Sequence, residues 1–495
     1  MERGTVAQLR AEATAKAASQ RARRGAAHSR LALPVSERRL LLMAQDLLAV
    51  NAALLLALLA RPQYRPHTLL AGAKPVWFLV LSGLWLVLAY VFDAYDLRAA
   101  GRFVTAALAV AKAGASAALV YLLIPYLTPA LPSSRWALLA FPASLLGLLL
   151  AERGLYCLVL GQRLQQRVLI VGAGWAGRTI AEALVERGDS AYLLLGFVDD
   201  DPAKQGRPVL LADGGPASLT VLGGGSDLPD LIRRFGATTL VLAITHNADG
   251  PLLQELLGCL ELGVEIVPMP VLYERLTGRV PVMHVGSNWE VALPIDHPGT
   301  GALWPAAKRA IDVVLALVGL AGFALLLPVL AAAIYLESGR PILYSQERVG
   351  KGGRLFRVYK LRSMVADAEK DGARWAAAND GRVTRVGRVL RRTHLDELPQ
   401  LWSILKGDMS LVGPRPERPE FVAELAEKIP FYRIRHAVKP GAAGWALVHQ
   451  GYGASVEDAL LKLQYDLYYI KDQSLWLDML ILLKAAAKMM AFDGR

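Results

Sequence analysis

Arg167-Val168-Leu169-Ile170-Val171-Gly172-Ala173-Gly174-Trp175-Ala176-Gly177 is where the hydrophobic period of this chain changes. Its first five residues read as a buried strand, apolar on both faces, which needs cover on both sides. The glycines that follow suit a tight turn, a close backbone approach and strand-to-helix packing, and a helix is expected from Arg178 to Arg187. A second strand, Leu193 to Val198, ends at Asp199-Asp200. That is about where a dinucleotide-binding turn carries the acid that meets a ribose hydroxyl. Further strand candidates at 238–244 and 264–267, with helix candidates at 228–235 and 252–262, continue the alternation. Alternating strands and helices predict a doubly wound parallel sheet. Gly172, Gly174, Gly177 and Asp199 are thus candidate nucleotide contacts, although the same glycines also serve turning and packing alone.

Upstream lie four apolar spans, at 40–60, 75–92, 103–127 and 136–150, the last able to run on to 160. Each is long enough, or nearly so, to cross a hydrocarbon core of roughly 30 Å. Asp46 and Lys112 fall within spans and are expected near an interface or against a neighbouring helix. Residues 1–39 form a basic arm with few acids and no apolar core, unlike a cleaved signal peptide. Such an arm is either solvated or held at anionic headgroups. Its charge places it on the cytoplasmic side, and four crossings return the chain there near Gln162.

The chain carries 55 Lys and Arg against 43 Asp and Glu, a formal net charge of +12, with 54% hydrophobic residues. The positive charges flank apolar spans and do not interleave with aromatics, so the excess reads as a membrane protein with a basic face, with no nucleic acid partner. The only two cysteines, Cys157 and Cys259, offer no disulfide framework or metal-ligand spacing, which suits a reducing compartment. His394, His436 and His449 likewise lack ligand spacing and read as structural.

Downstream, Pro-, Gly- and Asp-rich stretches at 201–216 and 279–305 read as insertions or linkers. Val313 to Leu336 is long enough to span, but Pro328 lies inside it and is expected to kink or break the helix. Then comes Leu395-Asp396-Glu397-Leu398-Pro399-Gln400-Leu401: two carboxylates before a proline suited to open a helix, which Gly407 would stop. A helix N-terminus attracts phosphate and keeps a nearby carboxylate ionised, although the two acids could also simply cap the helix.

Lys308-Arg309-Ala310-Ile311-Asp312, Ser338-Gly339-Arg340-Pro341-Ile342-Leu343-Tyr344-Ser345-Gln346-Glu347-Arg348-Val349-Gly350, Phe356-Arg357-Val358-Tyr359-Lys360-Leu361-Arg362-Ser363-Met364, the Asp-Glu pair and Pro414-Arg415-Pro416 follow one another in one order. Together, over about 304 to 478, they make the chain resemble the large monotopic phosphoglycosyl transferases, which move a sugar 1-phosphate from a nucleotide diphosphate sugar to a polyprenol phosphate. Departures are Leu361 for a common Phe, Leu327-Pro328 for Ser-Pro, and Gly441-Ala442-Ala443-Gly444-Trp445 for Gly-Ile-Thr-Gly-Trp. None removes a charged group.

The resemblance implies four parts: the basic arm 1–39, a four-helix transmembrane region 40–160, a Rossmann-like domain 161–304, and a catalytic domain 305–495. The last would carry a re-entrant membrane helix at about 308–336, turning at Pro328, with Lys308 and Arg309 at lipid headgroups. It implies Asp396 as the nucleophile that takes the phosphosugar, Glu397 as a Mg²⁺ ligand or its orienter (Asp396 also lying near the metal), Lys360, Arg362 and Arg415 as phosphate-binding cations, and Asp466 as a further site residue. Arg391 and Arg392 could also touch phosphate, but paired arginines ahead of a loop are usually exposed. The donor would be a UDP-sugar, the acceptor undecaprenyl phosphate, and the place the bacterial inner membrane, with soluble domains in the cytoplasm. The reaction would be the first membrane step of exopolysaccharide, capsule or O-antigen synthesis. A homo-oligomer is compatible with the sequence but not specified by it. Two rival readings are an oxidoreductase acting on nucleotide sugars through the glycine-rich domain, and an inactive scaffold of polysaccharide export. The first lacks a Tyr-x-x-x-Lys pair after that domain; against the second stands the intact Asp396-Glu397 pair.

Overall fold

The computed structural model describes residues 35–61, 74–95, 103–132, 134–160, 165–187, 192–211, 219–244, 250–284, 303–365, 368, 380–450 and 455–490. The basic arm up to residue 34 and parts of both linkers lie outside the described residues. The chain divides into two compact units, Met1–Thr277 and Gly278–Arg495.

The first unit opens with four helices, α1 (Val35–Leu59), α2 (Pro75–Val91), α3 (Phe103–Leu123) and α4 (Arg135–Leu155). They share one apolar core that includes Leu42, Leu58, Trp85, Val110 and Leu145. Pro75 starts α2, a position where its missing N–H costs nothing. α1, α3 and α4 are long and apolar enough to cross a membrane, whereas α2 is shorter, at 17 residues. Asp46 does face a neighbouring helix: its Oδ2 accepts from Nη2 of Arg153 on α4 at 2.9 Å, and both side chains are fully buried. Charges this deep are tolerated only when paired. Lys112 is exposed.

Next comes a parallel sheet of β1 (Gln166–Val171), β2 (Tyr192–Val198), β5 (Thr239–Leu242) and β6 (Glu265–Pro268), in the order β2-β1-β5-β6. Of the short antiparallel pair β3 (Pro208–Val209) and β4 (Leu219–Thr220), β3 falls in the segment expected as a linker and β4 just beyond it. The helices are α5 (Trp175–Arg187), α6 (Leu228–Phe235), α7 (Gly250–Glu261) and α8 (Met269–Thr277). Alternation along β1 sets the layers. Val168 and Ile170 pack on Ile180, Leu184 and Leu272 of α5 and α8; Leu169 and Val171 pack on Ile232, Leu256 and Cys259 of α6 and α7. Both faces are therefore covered, as the continuous apolar run requires. The glycine turn is held by close backbone contact. A Cβ on Gly177 would sit 2.0 Å from the Gly172 carbonyl oxygen, and Gly172, at φ +108°, would place one 2.8 Å from that of Ala243.

The second unit begins before the expected boundary near 304. Val280 and Val282 join its core, and the Val280 N–H donates to the Gln464 carbonyl. Its long helix α9 (Leu303–Ser338, 36 residues) runs without interruption through Pro328. Then come the hairpin β7 (Leu343–Val349) and β8 (Leu355–Leu361), α10 (Arg385–Arg392), a 3₁₀ turn (Leu395–Gln400), α11 (Leu401–Lys406), β9 (Ser410–Val412), α12 (Pro419–Lys428), β10 (Gly441–Ala443), α13 (Trp445–His449), α14 (Val456–Lys471) and α15 (Leu475–Met490). The main core joins α12, α14 and α15 through Leu425, Leu463, Leu467 and Ile481, so α15 packs on the domain. Smaller clusters lie under α9, around Ala316 with Ile404, and around Phe323 and Ile334 with Leu361 and Leu390. The other side of α9 exposes Val314, Leu315, Val318, Leu325, Val329 and Leu336.

Both ends of α9 are tied to this unit. Near the start, Arg309 donates to the carbonyls of Ile404 and Leu405, and Asp312 accepts from Ser410 Oγ and Leu411 N. At the end, the Glu337 carboxylate accepts the N–H groups of Arg385 and Val386, and so caps α10.

Candidate active site

Asp396 and Glu397 do not precede a helix opened by Pro399, as the sequence suggests. They lie in the first turn of the 3₁₀ segment, and Pro399 falls near its end. Leu395 and Leu398, three apart and so on one side of a three-residue turn, pack into the cluster around Leu361 and Leu390. That anchor turns the two carboxylates away from the core in different directions, about 120° apart. Gly407 ends α11 as expected.

Asp396 lines a cavity of about 340 Å³. It is 6% exposed and makes no hydrogen bond or ion pair with any described residue. Burial pushes its carboxyl up to about 6, opposed by nearby Lys360. This replaces the expectation of a carboxylate held low by a helix N-terminus; at neutral pH the group is still mainly ionised. Six cations line the same cavity: Arg348, Lys360, Arg362, Arg382, Arg391 and Arg418. Strand alternation explains half of them. Tyr344, Gln346 and Arg348 share one face of β7, and Lys360 lies directly across from Tyr344. Arg362 follows two residues later, again on that side.

Glu397 is placed quite differently. Oε1 accepts from Nζ of Lys360 at 2.6 Å and from Nη2 of Arg415 at 2.5 Å; Oε2 has only a 3.4 Å contact with Arg415 Nη1. Burial alone would raise its carboxyl, but Arg415 and Lys360 outweigh it and hold it well below the usual range. Lys360 and Arg415 are thus brought together by Glu397, and only Lys360 also lines the Asp396 cavity. Arg362, expected on phosphate, spends Nη2 on Ser338 and the Gly339 carbonyl, at the end of α9. Its Nε and Nη1 are buried without a partner among the described residues.

Asp466 lies outside the cavity. It is buried and paired with Arg435 at 2.8 Å. Arg435 in turn donates to the Tyr432 hydroxyl and the Arg415 carbonyl. Asp466 therefore acts on Arg415 through one intermediary. Lys308 and Arg309, expected at headgroups, point into the domain instead. Lys308 meets Asp478, Tyr469 and the Val412 carbonyl, and Arg309 caps the C-terminal end of α11. In the other unit, the Asp199 carboxylate accepts the Ala173 N–H at 2.8 Å, the Asp201 N–H and Lys204. It is turned back onto the glycine loop rather than held out for a ribose. Gly174 alone faces open space.

Arg348, Arg382 and Arg418 were not marked by the sequence as site residues, and Arg391 was given no firm role. Arg348 is two strand residues from Gln346, so a period of two was the available signal; Arg382 and Arg418 follow loops and gave none. For Mg²⁺, no group of three His, Cys, Asp or Glu side chains converges among the described residues. Mg²⁺ takes one or two carboxylates when phosphate oxygens complete its shell. Asp396 lies on the cavity, whereas Glu397, its neighbour in sequence, is not in the cavity lining and has only Oε2 lightly engaged.

A sequence profile described as "Bacterial sugar transferase" matches residues 304–492, the stretch that builds this site. A UDP-glucose:undecaprenyl-phosphate glucose-1-phosphate transferase of Caulobacter vibrioides is 42% identical over 189 residues, 38% of this chain and 71% of the relative. The chain belongs to the bacterial sugar transferase family. Among other family members, a UDP-N-acetylgalactosamine-undecaprenyl-phosphate N-acetylgalactosaminephosphotransferase of Aeromonas hydrophila is 42% identical over 262 residues, 52% of this chain and 60% of the relative. An undecaprenyl-phosphate glucose phosphotransferase of Komagataeibacter xylinus is 44% identical over 181 residues, 35% of this chain and 34% of the relative. The chain thus spans less than two thirds of the length of these last two relatives.

Proposed function

We propose that this protein transfers a sugar 1-phosphate from a nucleotide diphosphate sugar, with UDP as the nucleotide, to undecaprenyl phosphate. The observation that carries this is Asp396: an unpartnered carboxylate on a cavity whose other charged lining groups are six cations. Such a wall suits a diphosphate, whose charge must be offset as a P–O bond breaks. The names of the relatives supply the acceptor and the donor class.

In this reading an Asp396 oxygen attacks the sugar-bearing phosphorus. The bond to the other phosphate breaks, and nucleoside monophosphate leaves with the electron pair. A polyprenol phosphate oxygen then attacks the aspartyl phosphosugar and releases the carboxylate. Arg348, Arg391 and the free Nε and Nη1 of Arg362 meet the diphosphate, with bidentate capacity where the fork faces it. Glu397 holds Lys360 and Arg415 in place, and Asp466 steadies Arg415 through Arg435. Asp396 and Glu397 Oε2 would hold Mg²⁺ against the diphosphate oxygens, where it would supply further positive charge.

We read α9 as re-entrant. A straight helix of this length is about 54 Å long, enough to cross a bilayer, yet both of its ends are anchored to one domain through Arg309, Asp312 and Glu337. Pro328 is the place for a bend. The catalytic unit then stays on the cytoplasmic side of the bacterial inner membrane, where the reaction would open exopolysaccharide, capsule or O-antigen synthesis. The Rossmann-like sheet is read as structural rather than ligand-binding, because Asp199 already takes the loop N–H that a phosphate would meet.

The test is purified full-length protein with a panel of labelled nucleotide sugars and undecaprenyl phosphate. Release of nucleoside monophosphate with label moving into the lipid is expected for at least one UDP-sugar. Folded protein that produces neither with any donor contradicts the reading.

A further inference from the structure

A second cavity, of about 370 Å³, shares no lining residue with the one at Asp396. Lys308, Arg309, Lys351 and Lys439 converge on it, with Trp304 and Tyr469. Lys308 is matched by Asp478, and Arg309 by two helix carbonyls. Lys351 and Lys439 have no ion pair with any described residue. The one acid in the lining, Asp312, directs Oδ1 to Ser410 and Leu411. An adjoining depression shares Lys351 and Lys439 and adds Arg354, with Asp408 as its acid. Burial, with Arg309 and Lys351 nearby, lowers the Lys439 ammonium from its ordinary value, against weaker support from Asp312 and Asp408. Cations held this close repel one another, and a bound anion removes that repulsion.

The position of the cavity says which anion. It lies at the first turns of α9, where Lys308 also sits over the Trp304 ring. The turns that follow expose Val314, Leu315 and Val318. A tryptophan with lysines just ahead of an apolar helix face marks the headgroup level of a bilayer. Free phosphate would need no such apolar neighbour.

We propose that Lys351 and Lys439 form a binding site for the phosphate of an anionic phospholipid headgroup, which fixes the base of α9 at the membrane surface. The proposal rests on reading α9 as membrane-embedded. Its test uses detergent micelles, so it does not depend on how α9 enters a bilayer.

Full-length protein is exchanged into detergent with phosphatidylglycerol, phosphatidylcholine or inorganic phosphate, and retained ligand is read by native mass spectrometry. Wild type should keep phosphatidylglycerol, and the Lys351→Gln, Lys439→Gln double variant should keep about tenfold less or lower. The Lys351→Arg, Lys439→Arg variant should hold it like wild type, which separates lost charge from lost fold. Equal retention by the Gln variant, equal binding of phosphatidylcholine, or displacement by equimolar inorganic phosphate would overturn the proposal.

Discussion

Nη2 of Arg415 lies 2.5 Å from Oε1 of Glu397, the oxygen that also takes Nζ of Lys360. The loop carrying Pro414-Arg415-Pro416 is thereby fixed to the turn carrying Asp396. Glu397→Gln would leave two cations side by side with one weak acceptor. Turnover should fall about a hundredfold, and the melting temperature should drop, since breaking one side of a buried charged network typically costs about 2–3 kcal/mol. Steady-state rates and a thermal melt of the variant check this. Near wild-type turnover would remove Glu397 from the machinery.

Asp396 and Glu397 should respond oppositely to pH. The Asp396 carboxyl, pushed up to about 6 by burial, must lose its proton to act, so the rate should rise through about pH 6 and level off above it. For stability, its folded value lies above the unfolded one. Its contribution is complete below the unfolded value of about 4 and is lost as pH rises through about 6. Glu397, held low, contributes above its unfolded value and loses that as pH falls. Asp396→Asn should therefore stabilise the protein at pH 7.5 relative to wild type, on the order of 1–2 kcal/mol, and lose this advantage near pH 4. Thermal melts across that range measure it.

The glycine loop separates packing from ligand contact. Gly177→Ala should sharply lower yield, because its Cβ would overlap the Gly172 carbonyl, whereas Gly174→Ala meets nothing and should fold normally. Expression level and melting temperature of the two variants give the comparison. A well-folded Gly177→Ala protein would contradict the observed turn.

The strand at 166–171 was legible because a run apolar on both faces has few homes other than a covered parallel sheet. The four apolar spans were legible from length alone. Pro399 misled, since a proline that can open an α-helix can equally sit in a 3₁₀ turn, and the Leu395 and Leu398 anchor that decides this depends on residues of α9 and α10. Lys308 and Arg309 read as headgroup contacts because their partners are distant in sequence: Asp478 lies 170 positions on. Asp466, singled out by resemblance, lies outside the cavity, and its connection to Arg415 runs through Arg435, which no local motif marks.

The topology of α9 can be read with single cysteines at the exposed positions Ala306 and Arg340, in a background with Cys157 and Cys259 replaced by Ala. Both should react with an impermeant thiol reagent only after cells are opened. Labelling of the two from opposite sides would show that α9 crosses. Pro328→Leu, which restores a backbone hydrogen bond at that position, should favour a straight crossing over a re-entrant turn and lower activity severalfold, measured by nucleoside monophosphate release.

The most direct measurement is mass spectrometry of the peptide around Leu395–Leu401, after incubation with Mg²⁺ and the accepted UDP-sugar but without lipid. A phosphosugar on Asp396 is expected, with stoichiometric release of nucleoside monophosphate, and both should vanish in Asp396→Asn. Full turnover by Asp396→Asn, or release that begins only once undecaprenyl phosphate is also bound, would contradict a covalent aspartyl intermediate.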